Sequence, residues 1–277
     1  MTPNNPFGIE PSLWVKIQNM RLLDDLLMQT ALDGCVPAVE LILRIILDQP
    51  DLTVTELTVQ KILPHMASRE LWLDVKAVDA QGKHYNIEVQ RSDSGALPKR
   101  PRYHSALMDV QVLKKGMDTE DLPETYVIFI TENDCLEGGL PLYHIDRVVL
   151  ETGKLFGDQA HIIYANGAYQ GDDPMGRLMS DFRSADPDKM HFPVLAERIR
   201  EVKSNQKGVT EMSRVLKEIY QEGMEKGIEK GMEKGMATLL QQMMSRQGWT
   251  LEHAMEFVGL SLDRKEAYQG QIRALQV

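Results

Sequence analysis

The feature that most constrains this chain is an alternating stretch at residues 71–90, LWLDVKAVDAQGKHYNIEVQ. Leu71, Leu73, Val75 and Ala77 share one face and Asp74 and Lys76 the other; further on, Tyr85, Ile87 and Val89 alternate with His84, Asn86, Glu88 and Gln90. A period of two marks half-buried strands. Between them, Asp79-Ala80-Gln81-Gly82 puts Asp first and Gly fourth in a type I turn, as in a three-residue hairpin loop.

Matching the apolar faces tests the register. Pairing Asp79 with Lys83 sets Leu73 opposite Val89, Val75 opposite Ile87 and Ala77 opposite Tyr85. A two-residue loop would set Val75 against Glu88, because a slip of one residue turns every side chain to the other face. The matched register brings Asp74 across from Glu88, with Cβ atoms roughly 5 Å apart, and leaves Gln90 on the same face. An acidic, solvated sheet face is one reading of that pair. The other is a cation site: facing carboxylates repel unless positive charge lies between them, and Mg²⁺ takes one or two carboxylates with waters and phosphate oxygens.

The acid, hairpin and Glu-x-Gln arrangement occurs with LDDLLM, ELILRIIL, KRPRYHSALMD, LPETYVIFITEND, GLPLYHIDR and LFGDQAHIIYANGAY. Together these segments resemble the recombination-promoting nuclease / transposase family of the PD-(D/E)XK nuclease superfamily, a resemblance that covers residues 20–215. The resemblance implies an α/β fold with a restriction-endonuclease-like αβββαβ core and a helical C-terminal extension. It also implies a Mg²⁺-dependent DNA endonuclease, with Mn²⁺ as a substitute, that hydrolyses phosphodiester bonds and is linked to recombination or mobile elements. Asp74 and Glu88 match the metal-binding acids and the Val89 carbonyl the backbone ligand. Gln90 stands where the wider superfamily has a lysine that orients the attacking water, and Leu73 replaces the proline. In the superfamily the first core helix often adds another acid; Glu40 and Asp25 are the candidates here.

The remaining pattern is consistent with that core. Helices are expected at 13–28 and 37–47, a first strand at 52–59, a helix at 102–115 closed by Gly116, and a strand buried on both faces at 124–131. Further strands are expected at 147–150 and 161–164. Lys99, Arg100, Arg102 and Tyr103 crowd a helix entrance, where cations and free amides suit DNA phosphates. His104 beside them reads as a partly exposed helix histidine without a role. Asp172-Asp173-Pro174 and Asp186-Pro187-Asp188 read as helix caps rather than metal ligands. Helices at 193–203 and 209–221 follow.

The expected organisation is an N-terminal arm (1–20), with residues 1–12 extended, a nuclease-like domain (21–170), a helical extension (171–221), a helical linker (222–247) and a small helical hairpin (248–277). In the linker Gly223, Gly227, Gly231 and Gly235 recur every four residues, as do Met224, Ile228, Met232 and Met236. Such glycines make an isolated helix marginal, at roughly 1 kcal/mol each, yet the stripe suits self-association as a homo-oligomer through residues 222–236. That supports a second reading: a catalytically weak or silent nuclease fold acting as an assembly module through its tail. The net charge of -10 argues against a general nucleic-acid binder and leaves any DNA contact local. Cys35 and Cys135 read as reduced, buried thiols. With no apolar run of membrane-spanning length and no signal peptide, the expectation is a cytoplasmic protein without membrane association.

Overall fold

The structure, a computed structural model, describes residues 5–59 and 74–274. Leu71 and Leu73 of the expected hairpin lie outside the described residues. The chain opens with α1 (Pro11–Gln18), α2 (Asp25–Leu32) and α3 (Val36–Leu47). Then come β1 (Val54–Val59), β2 (Val75–Asp79), β3 (His84–Gln90), α4 (Lys99–Val112) and β4 (Thr125–Thr131). From α3 to β4 this is the αβββαβ order.

The hairpin has the register that its apolar faces require. Val75 pairs with Ile87 and Ala77 with Tyr85, and the Asp79 N–H donates to the Lys83 carbonyl at 3.1 Å. Gly82 takes the left-handed conformation that the turn demands, with φ of +79°. The buried Asp79 carboxylate accepts the N–H groups of Gln81 and Lys83, each at 2.9 Å, and the Tyr85 hydroxyl at 2.7 Å. Three donors therefore lock the turn.

Past β4 lie β5 (Leu142–Ile145), β6 (Val148–Val149), β7 (Lys154–Leu155) and β8 (Ala160–Asn166). The main sheet runs β1-β2-β3-β4-β8-β5, with β3, β4 and β8 parallel and β6 paired with β7 separately. The strand expected at 147–150 is thus a two-residue member of a separate hairpin. β5, unforeseen, is a short edge strand with no fully buried residue.

Two cores flank the sheet. Val75, Ala77, Tyr85, Ile87, Val89, Ile128 and Ile130 join the larger one. It is completed by α1 to α3, α5 (Pro174–Arg183), α6 (Pro193–Ser204) and the start of α7 (Gln206–Gln247). On the opposite face Val127, Phe129 and Tyr164 pack with Ala96 and Met108 beneath α4. Since Glu88 is in register with Phe129, it faces α4.

Four expectations need correction. The helix foreseen at 13–28 is two helices, because the Asp24 carboxylate accepts the Arg21 N–H at 2.8 Å and the Leu23 N–H turns to the Phe182 carbonyl at 3.3 Å. The extended arm instead leads into α1, where Trp14 and Ile17 are buried and Phe7 packs on Trp14. α4 starts at Lys99 rather than 102, with Pro101 tolerated in its first turn, and stops before Gly116. The helix foreseen at 209–221 continues through the glycine repeat to Gln247, with pairs such as Glu222–Lys226 at 2.6 Å along it. By contrast, Asp173 caps α5, accepting the Gly176 N–H at 2.7 Å, and Asp186 caps the short turn after it, as expected.

Contacts divide the chain into two units, Met1–Leu216 and Lys217–Val277. Residues 171–216 contribute Met175, Phe182, Ile199, Val209 and Leu216 to the core of the first. Within the second, α8 (Leu251–Phe257) and α9 (Lys265–Ala274) close a small core of Ala237, Leu240, Ala254, Met255, Tyr268 and Ile272. Among the described residues no helix is long and apolar enough to cross a membrane.

Candidate active site

The open end of the hairpin gathers acids that the helices complete. The Asp74 N–H and the Asn86 amide both donate to Glu88 Oε1 at 3.0 Å. Glu88 is fully buried, and its Oε2 has no hydrogen-bond partner among the described residues. From α2, Gln29 Nε2 donates to Asp74 Oδ1 at 3.2 Å. From α4, His104 Nδ1 lies 3.3 Å from Glu88 Oε1 and Arg100 Nη2 lies 3.8 Å from Oε2. Neither contact to Glu88 has hydrogen-bond geometry; the Arg100 guanidinium is a longer charge contact.

Burial and like charge set the electrostatics. Burial, then Glu88 and Asp25, push the Asp74 carboxyl up to about 8, against a smaller opposing effect of Arg100. Asp25 is raised in the same way, first by burial and then by Glu88, again with Arg100 opposing. Glu88 ends below its ordinary value: burial raises it, but His104, the Asn86 amide and the Asp74 N–H together outweigh that. Without a cation, the site therefore holds an anionic Glu88 beside a protonated Asp74.

A divalent cation fits this donor set. The unpartnered buried Glu88 Oε2 and an Asp74 that keeps its proton for want of positive charge are both relieved by a hard cation. Among the described residues no three His, Cys, Asp or Glu side chains form a ready cage. The available donors are the two carboxylates, as suits Mg²⁺, which takes one or two and keeps several waters.

The proposed residues divide between the site and its surroundings. Gln90 joins it, with Oε1 accepting from Arg100 Nη1 at 3.0 Å. Asp25 joins it electrostatically, whereas Glu40 is bound to Arg44 and to the Val54 N–H, both at 2.9 Å, fastening α3 to β1. The Val89 side chain is buried in the larger core. Lys99, Arg102 and Tyr103 are exposed on the outer side of α4, while Arg100 turns inward. His104 is fully buried edge-on to Phe129, and not the exposed residue foreseen. The spacing of four between Arg100 and His104, and between Asp25 and Gln29, is the mark that each pair shares a helix face.

No curated protein and no solved structure matches the chain. A family match takes in Asp74, Glu88, Gln90, Arg100 and His104 and begins after Asp25 and Gln29. Residues 41–166, from within α3 to the end of β8, match the family model of the PD-(D/E)XK nuclease family transposases.

Proposed function

We propose that this chain is a Mg²⁺-dependent DNA endonuclease that hydrolyses phosphodiester bonds, acting in the cytoplasm in recombination or mobile-element biology. The carrying observation is the acid cluster within and beside the matched segment, the buried Glu88, the half-buried Asp74 and the exposed Asp25, in which Glu88 and Asp25 help to push Asp74 up to about 8. Asp74, Glu88 and the Val89 carbonyl would hold the ion, with Mn²⁺ as a substitute. When bound, it supplies Lewis-acid polarisation of the phosphate and a lowered pKa for a coordinated water. Gln90 orients that water through its amide. Asp25 adds a third carboxylate able to accept a proton nearby. Lys99, Arg102 and Tyr103 present two cations and a ring to the DNA backbone, which confines binding on a chain of net charge -10 to one local patch.

Supercoiled plasmid incubated with wild type and with Glu88→Ala, in Mg²⁺ or EDTA, is the direct test. Nicking is expected only with both Mg²⁺ and Glu88. Cleavage retained by a folded, contaminant-free Glu88→Ala would remove the assignment.

The tail supports a second reading, assembly as a homo-oligomer. Met224, Ile228 and Met232 are 51%, 57% and 70% exposed, and a groove of about 450 Å³ opens between that stripe and Leu260, Arg264 and Tyr268. Beside it, Gly223, Gly227, Gly231 and Gly235 face open space. Light scattering of the full chain against a truncation at Lys217 separates the readings: an unchanged number of chains per particle would discard assembly through the repeat.

A further inference from the structure

Arg100 reaches the acids from α4 and touches each part of the site differently. Its charge lowers both Asp25 and Asp74, and its Nη2 stands 3.8 Å from Glu88 Oε2. Nη1 donates to Gln90 Oε1 at 3.0 Å and to the Gly95 carbonyl at 3.1 Å. The Phe129 ring lies 6.0 Å from its Cζ, a cation–π contact.

That geometry decides what Gln90 can do. A guanidinium carries donors and no acceptor, so only the amide oxygen can face it. The NH₂ is left as the amide's working end, a donor. Gly95 is the residue that admits this bond. A Cβ there would sit 2.1 Å from Gln90 Oε1 and 3.3 Å from Arg100 Nη1. The turn holding Gly95 is itself fixed: its N–H donates to the Ser92 carbonyl at 2.9 Å, and the Tyr164 hydroxyl donates to the Ala96 carbonyl at 2.6 Å.

We propose that Arg100 is a positioning residue that sets the Gln90 amide with its NH₂ as donor and supplies, from α4, the positive charge that position 90 lacks, while Gly95 stays without a side chain to admit the pair. This rests on the nuclease reading above. Negative charge grows on the phosphate oxygens during hydrolysis, and a guanidinium already fixed by Gln90, Gly95 and Phe129 need not reorganise to meet it. Arg100 therefore serves the reacting centre, while Lys99 and Arg102 remain for the DNA backbone.

The test uses the full chain with Arg100→Ala, Arg100→Lys, Gly95→Ala and the double variant Arg100→Ala/Gln90→Lys, measuring plasmid nicking and, separately, Mn²⁺ affinity by calorimetry. Arg100→Ala should lower kcat by about 10²-fold with little change in KM, and should bind Mn²⁺ several-fold more tightly because a competing charge has gone. Arg100→Lys should keep wild-type Mn²⁺ affinity but recover only part of kcat, since an ammonium lacks the planar fork. Gly95→Ala should reproduce the kcat loss with an unchanged melting temperature, because a flexible amide can move aside. The double variant should regain activity over Arg100→Ala. Unchanged Mn²⁺ affinity in Arg100→Ala, or a rise in KM alone with a shallower salt dependence, would overturn the proposal and leave Arg100 a backbone contact. If wild type binds Mn²⁺ but never cleaves, the nuclease reading fails, and the Mn²⁺ shift alone decides whether Arg100 acts on the carboxylates.

Discussion

One hairpin ends in two ways. At the turn, Asp79 is buried with two N–H groups and a hydroxyl on its carboxylate. At the open end, the buried Glu88 and the half-buried Asp74 crowd like charges together: Asp74 holds its proton and Glu88 Oε2 has no hydrogen-bond partner among the described residues. The same residue chemistry gives stability where donors surround one carboxylate and a raised proton affinity where carboxylates crowd. Hydrogen-bond donors are present at both ends; the crowding of like charges is what differs.

Substitution at each end should therefore fail in opposite ways, and the largest effect belongs to the open end. Glu88→Gln is expected to lower cleavage by at least about 10²-fold without lowering the melting temperature, because it removes a buried charge yet keeps an acceptor for the Asp74 N–H and the Asn86 amide. A melting temperature that fell with activity would show Glu88 to be a structural carboxylate like Asp79.

A pH titration sharpens the contrast next. Asp74 stands at about 8 against an ordinary 3.8. Between those values the folded chain binds the proton that the unfolded chain has released, so stability from this group is full below 3.8 and declines as pH rises toward 8. Denaturant unfolding of metal-free protein should show that decline, and Asp74→Asn should flatten it. Binding of Mn²⁺ below pH 8 should release a proton, seen by calorimetry in buffers of different ionisation enthalpy. A flat stability profile in the wild type would mean that the acids do not crowd each other.

At the turn end the effect is smaller and purely structural. Asp79→Ala leaves two N–H groups and the Tyr85 hydroxyl without their acceptor, at a cost of about 2–4 kcal/mol. In a chain of this size that is a drop of roughly 5–10 °C. At a temperature where the variant is folded, kcat should be that of the wild type; a kcat loss would join the two ends mechanically.

The hairpin was legible in the sequence because period two and a three-residue turn leave one register that keeps Val75, Ala77, Tyr85 and Ile87 together. The partners of the site were harder to read. Asp25 and Gln29 depend on the break between α1 and α2, and that break depends on the Phe182 carbonyl of α5, contributed from far along the chain. Arg100 and His104 share a face by spacing, but KRPRYHSALMDVQV has no apolar stripe that tells which way α4 turns. In the tail the glycines made an isolated helix marginal, and the helical linker read there forms part of α7, which runs unbroken through them.

α4 itself supplies the smallest and most discriminating test. Arg100 and Arg102 are two residues apart, yet one turns inward to Gln90 and the other is exposed. Two residues along a helix rotate a side chain through about 200°, so the two cannot share a target. Arg102→Ala should weaken DNA binding uniformly across sequences and reduce the salt slope by about 1, with kcat at saturating DNA and Mn²⁺ affinity both unchanged. Binding measured across a salt series, beside the same series for Arg100→Ala, separates the roles. If Arg102→Ala left the salt slope intact, the DNA would not cross the outer side of α4, and the backbone track would have to be sought elsewhere around the acids.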